Sequence, residues 1–175
     1  MFKICKTALT LAAFLTGTAA YSSLPVEQDA YVRGGFYKTI NYPHKENLVV
    51  KNSSDESYSR SSLLKFRPRD ITNINKGILH LHLARTGATK LLIEEINNSW
   101  EDTHIDWETQ PETEDTETTF FRIDTPQVNK WVRIDISNLL ADKKFSGSLR
   151  IRNDNKTLVL ISAQESGKGA YLELK

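Results

Sequence analysis

The sequence predicts an all-β fold, a β-sandwich of the jelly-roll kind, on three observations. Short apolar runs with period-two alternation recur along the chain, and clusters of Gly, Asn, Pro and Ser separate them. Helical periodicity is weak everywhere except Ile136 to Ala141, a short turn or helix at most. About ten such runs fit one domain. Ala30 and Val32 mark a strand over 29–33, Leu48 and Val50 one over 47–52, and Leu64 and Phe66 one over 60–66. Gly34-Gly35 and Asn52-Ser53-Ser54-Asp55 supply turn chemistry between them. Ile71 to Lys76 reads as a linking turn, Gly77 to Ala84 as a core strand and Leu91 to Ile96 as another. Glu101 to Thr119, with Pro111 and many Thr and acidic residues, reads as one long surface loop. Phe120 to Ile123, Lys130 to Ile136, Gly147 to Arg152, Thr157 to Ile161 and Ala170 to Leu174 complete the strands.

The first twenty residues stand apart. Lys3 and Lys6 precede an apolar run from Ala8 to Leu15, and Thr18-Ala19-Ala20 offers small residues for cleavage, the pattern of a secretory signal peptide. That run is too short to span a bilayer, and Cys5, the one cysteine, lies before it in the leader. A mature chain starting near Tyr21 therefore carries no disulfide, whatever its destination. Residues 21–28 are expected to be a tether, and 29–175 a single domain secreted as a monomer.

Net charge selects no partner. Of 23 basic and 22 acidic residues, the leader removes two basic ones, leaving about −1. Distribution says more: Asp29 to Lys90 holds eleven Lys or Arg against five Asp or Glu, while Glu101 to Phe121 holds eight acids and no Lys or Arg. No basic excess points to nucleic acid. The basic residues Arg33, Lys51, Arg60 and Lys65 each stand beside an inward-looking apolar residue, which makes a strand-borne basic surface the first functional hint. Parity adds a condition. Lys65 alternates with Leu64 and Phe66 whereas Arg60 shares their phase, so a turn or bulge near Ser61 is needed if both are to face one way.

Asp29-Ala30-Tyr31-Val32-Arg33-Gly34-Gly35, Asn41-Tyr42, Val50-Lys51-Asn52 and Arg60 followed by Leu64-Lys65-Phe66 resemble the N-terminal half of secreted bacterial DNRLRE domains, among them carbohydrate-binding module family 96. The resemblance continues through Asn98-Ser99-Trp100-Glu101, Trp107, Pro111, Trp131 to Ile136, Glu165-Ser166 and Tyr171 to Leu174, covering essentially all of the chain after the leader. Pro43, Arg67 and Gln164 depart from its pattern. It implies a β-sandwich that binds polysaccharide, with alginate the associated ligand, and it implies Arg33, Lys51 with Asn52, Arg60 and Lys65 as the contacts to acidic sugar. A polyuronate carries a carboxylate on every ring, which Arg grips bidentately and Lys meets as a point charge. Arg150 and Arg152 flank Ile151 with period two and extend that surface if their strand is a neighbour.

Other readings compete. Trp100, Trp107 and Trp131 suit the C–H face of a pyranose but look like framework positions of the family, with Tyr31, Tyr37 and Tyr58 as exposed-aromatic rivals. His80 and His82 have the spacing of a metal pair without a third ligand. No cofactor is implied, although Asp29, Glu101, Asp102 and Asp106 offer oxygens for a structural calcium. There is no nucleophile elbow, mature-chain Cys, zinc motif or phosphate loop. His44, Tyr42 and Arg33 assemble into a polysaccharide-lyase site only on paper, so a non-catalytic module leads, ahead of a lyase or an adhesive structural domain.

Overall fold

The computed structural model describes residues 22–67, 74, 76–140 and 145–175; side chains of residues 22 and 114–116 are not described. The leader at 1–20, most of the linking turn at 71–76, and Ala141 lie outside the described residues. Ten strands and one helical turn follow in order: β1 (Ser22–Arg33), β2 (Asn47–Val50), β3 (Arg60–Phe66), β4 (Gly77–Thr86), β5 (Thr89–Ile96), β6 (Thr113–Ile123), β7 (Gln127–Asp135), α1 (Ser137–Leu140), β8 (Ser148–Asn153), β9 (Val159–Ser162) and β10 (Tyr171–Leu174).

These strands form the two layers of a β-sandwich. In one, β4 pairs with β7 along one edge and with β10 and then β9 along the other, and β9 carries β2. The second runs β1-β3-β8-β5-β6. β1 belongs to both. Ser22 to Pro25 pair with β10, a register shift intervenes between Val26 and Gln28, and the rest of the strand pairs with β3. Such pairs as β1–β10, β2–β9, β4–β9 and β5–β8 nest one within the next, as the wrapping of a jelly roll requires.

Alternation decides what lies between the layers. Leu79, Leu81 and Leu83 of β4 meet Leu91 and Ile93 of β5, Leu64 and Phe66 of β3, and Leu149 and Ile151 of β8 in one core. A second, smaller cluster sits on the outer face of the β1-β3-β8-β5-β6 layer. There Ala30, Val32, Leu63 and Ile96 are covered by Trp100 and Ile105 from the segment after β5.

Two expectations need correction. Residues 22–28 are strand, not tether, because Val26 is a core residue and its neighbours satisfy the edge of β10. Thr113 to Thr119 are also strand. Thr is β-branched and pairs well on a half-solvated ladder, here with Ile96, Glu94 and Ile93, so the loop ends near Glu112.

Candidate functional site

The far end of β1 carries the densest group of sequence-predicted residues. Ala30 and Val32 point into the second apolar cluster, which turns Asp29, Tyr31 and Arg33 to the opposite side. Arg33 stands directly across the ladder from Arg60, and Arg60 bridges to Lys51 on its other side. Two Arg as cross-strand partners repel at this range. Burial, and then Arg33, lower the proton affinity of the Arg60 guanidinium. Among the described residues, no ion pair involves Arg33, Lys51 or Arg60.

Aromatic rings and carbonyls hold these cations instead. The Arg33 guanidinium lies 3.4 Å over the Tyr37 ring centroid, and its Nε donates to the Ser57 carbonyl at 3.1 Å. Arg60 Nη1 donates to the Tyr58 carbonyl at 2.9 Å, and Lys51 Nζ sits 5.4 Å over the Tyr58 ring. Tyr31 stacks on Tyr42 with centroids 4.5 Å apart. The 3-10 turn Gly35–Tyr37 presses against the 3-10 turn Glu56–Tyr58. A Cβ on Gly35, at φ +63°, would fall 2.3 Å from Ser57 Cα, so glycine is what permits the contact. From this seated pair of turns Phe36 (93% exposed) and Tyr58 reach into water, as does Ile40 just after the first.

At the other end of the same strand face the charge reverses. Asp29 is buried, accepts from the Gln164 amide at 2.8 Å, and is pushed up to about pKa 7, chiefly by burial and with help from Glu165 and Asp102. His44 Nδ1 lies 3.2 Å from Glu165 and 4.0 Å from Asp102.

The remaining predicted contacts lie elsewhere. β3 pairs without a bulge from Arg60 to Lys65, so Lys65 faces away from Arg60. Its Nζ donates to the Trp100 carbonyl at 2.5 Å and pairs with Glu101 at 3.2 Å, pinning the segment that covers the second cluster. Arg150 and Arg152 share that outer face but converge on Glu94. Both Nε atoms lie 3.0 Å from its Oε2. Burial raises the Glu94 pKa, and the two guanidiniums outweigh it, so the group ends below its ordinary value. Asn52 is exposed beside Lys51, its amide held by the Asn155 carbonyl. One basic face of seven residues therefore does not exist as such: Arg33, Lys51, Asn52 and Arg60 gather at one end, and the other three are engaged in structure.

The other candidates sort in the same way. Trp100 is buried with Nε1 donating to Ser148 Oγ at 3.0 Å, and Trp107 donates to Glu56 at 3.1 Å, whereas Trp131 is 42% exposed. Of the oxygens offered for calcium, Glu101 turns to Gln28 and Lys65, and Asp106 caps the amides of Glu108 and Thr109. No group of three metal-ligating side chains occurs among the described residues, where no helix is long and apolar enough to cross a membrane. Sequence reasoning missed Phe36 and the Tyr31–Tyr42 stack; the Gly-Gly before Phe36 was the available signal.

A family model for carbohydrate-binding module family 96 matches residues 20–175. The chain belongs to that family. No curated protein matches it closely enough to add a relative. As a member of carbohydrate-binding module family 96, the protein has a polysaccharide as its partner class.

Proposed function

We propose that this chain is a secreted, non-catalytic module that binds an acidic polysaccharide, alginate or a similar polyuronate, at the Arg33–Lys51–Arg60 end of the sandwich. The observation that carries this reading is the cross-strand Arg33–Arg60 pair without a carboxylate partner among the described residues. A ligand carboxylate placed between the two guanidiniums relieves their repulsion and receives charge-assisted hydrogen bonds. Lys51 and Asn52 extend the contact to the next ring, and Tyr37, Tyr58 and Phe36 offer faces to pyranose C–H groups. A lyase on the same scaffold is disfavoured by His44, whose neighbours Glu165 and Asp102 repel the uronate that it would have to deprotonate. Secretion rests on the leader sequence.

Affinity electrophoresis through gels containing polyuronate or neutral glycan tests this. The expected result is retardation by the acidic polymer that Arg60→Ala weakens by a few-fold to about a hundredfold, the range of one charge-assisted contact. Absence of retardation by any polyuronate contradicts it, and an unsaturated product formed on incubation marks a lyase instead.

A further inference from the structure

The outer face of the layer containing β4, β7 and β10 carries a group of rings that the acidic site does not use. Alternation sends Leu79, Leu81, Val132, Ile134 and Leu172 inward and leaves His80, His82, Trp131, Arg133, Tyr171 and Glu173 on the outside. Register makes them neighbours: His80 faces Tyr171 on one side and Arg133 on the other, and His82 faces Trp131. His80 and Tyr171 stack at 4.1 Å and 11°. Trp131 leans on His82 at 5.2 Å and on Tyr171 at 5.6 Å, inclined by about 60° to each. Both imidazoles are buried in this layer, and His82 Nδ1 is held by Ser162 Oγ at 2.7 Å. Trp131 caps the group while leaving 42% of itself in water, so its indole is a rigid, solvent-facing platform with three rings beneath and beside it.

The rim of the platform is polar and self-neutralising. Arg133 Nη2 lies 3.4 Å from Glu173 Oε2, and that same oxygen is 3.1 Å from His80 Nε2. A carboxylate and a guanidinium side by side present acceptors and donors suited to vicinal hydroxyls. They present no net charge to attract a uronate, in contrast to Arg33 and Arg60. We propose that Trp131 with the Arg133–Glu173 pair forms a second saccharide site, which takes a pyranose ring of a neutral polysaccharide. A second copy of the chain fits this face poorly, since the charged Arg133, Asp135 and Glu173 share it with the exposed indole and an interface between copies needs a broader apolar patch.

The test compares wild type with Trp131→Ala, Trp131→Phe and Arg60→Ala by affinity electrophoresis against a glucan, a galactomannan, a xylan and a polyuronate, together with acrylamide quenching of tryptophan fluorescence. At least one neutral polymer should retard the wild type and shield its accessible tryptophan. Trp131→Ala should weaken that retardation by about tenfold, the scale of one lost aromatic contact, and Trp131→Phe should restore part of it. Arg60→Ala should leave neutral binding intact, and Trp131→Ala should leave polyuronate binding intact, which separates failure of this site from failure of the acidic one. Absence of any neutral binder overturns the proposal, as does equal binding by Trp131→Ala, joint loss in Trp131→Ala and Arg60→Ala, or a dimer in sedimentation that Trp131→Ala breaks up.

Discussion

In the proposed site, Arg33 and Arg60 would set binding against stability. Like charges directly opposite on a ladder destabilise by roughly 0.2–1 kcal/mol, so converting Arg60 to Glu should create an attractive cross-strand pair with Arg33. Arg60→Glu is expected to hold or raise Tm by a few degrees while abolishing polyuronate binding; thermal melts beside binding curves check both signs. Asp29 gives a prediction in pH. Its pKa rises from 3.8 to about 7 in the fold, so the folded chain holds a proton between those values that the unfolded chain has released. Its contribution to stability then falls as pH rises from about 4 to 7, at most ~1.4 kcal/mol per unit, while His82, whose pKa is lowered by burial and then by Lys168, contributes in the opposite sense below the ordinary imidazole value. Glu94, Glu101 and Asp135 have lowered values, so their support is present above the ordinary carboxylate range and is lost only below it, outside that window. Asp29→Asn should remove the falling component of Tm between pH 4.5 and 8 and leave the rise that His82 contributes, which a pH series of melts on both proteins measures. Parity in the sequence showed that Arg60 and Lys65 oppose each other unless a bulge intervenes, and β3 has none. What parity does not show is a side chain's partner. Glu94 lies more than fifty residues from Arg150 and Arg152, and nothing local announces that it holds both.

The segment between β5 and β6 behaves as a fixed cover rather than a free loop. Lys65 holds the Trp100 carbonyl, Asn41 Nδ2 donates to the Asp102 and Ile105 carbonyls at 2.8 and 2.6 Å, and Trp100 anchors to Ser148. Lys65→Met keeps the aliphatic stem but removes the ammonium, and should cost about 1.5–3 kcal/mol in denaturant unfolding, the scale of a charged hydrogen bond. Its affinity for polyuronate should stay within about twofold of wild type, since the Lys65 side chain is only 14% exposed and its ammonium is committed. Strand existence was readable along most of the chain because apolar alternation is a local signal. Thr113 to Thr119 escaped because its acids and threonines hide the alternation, and residues 22–28 escaped because their partner, β10, is at the opposite end of the sequence.

β1 ties the two layers into one cooperative body, since it pairs with β10 before the register shift and with β3 after it. Deleting residues 22–26 should remove that tie and the burial of Val26, about 3 kcal/mol or more, and lower Tm by roughly 6–12 °C; scanning calorimetry of the shortened chain is the check. With Cys5 the only cysteine in the sequence, Tm should not respond to reductant. The overall architecture was legible because many short strands without helical periodicity leave few alternatives to a sandwich. Its charge distribution was less so, because folding sends basic residues adjacent in sequence to opposite sides of a sheet. The central claim is that the Arg33–Arg60 end binds acidic sugar by charge. Calorimetric titration of wild type and Arg60→Glu with alginate at low and high salt tests it most directly. The account predicts wild-type affinity that falls as salt shortens the screening length below about 8–10 Å, and no measurable binding by Arg60→Glu at either salt. Salt-independent binding, or equal affinity in the two proteins, would contradict it.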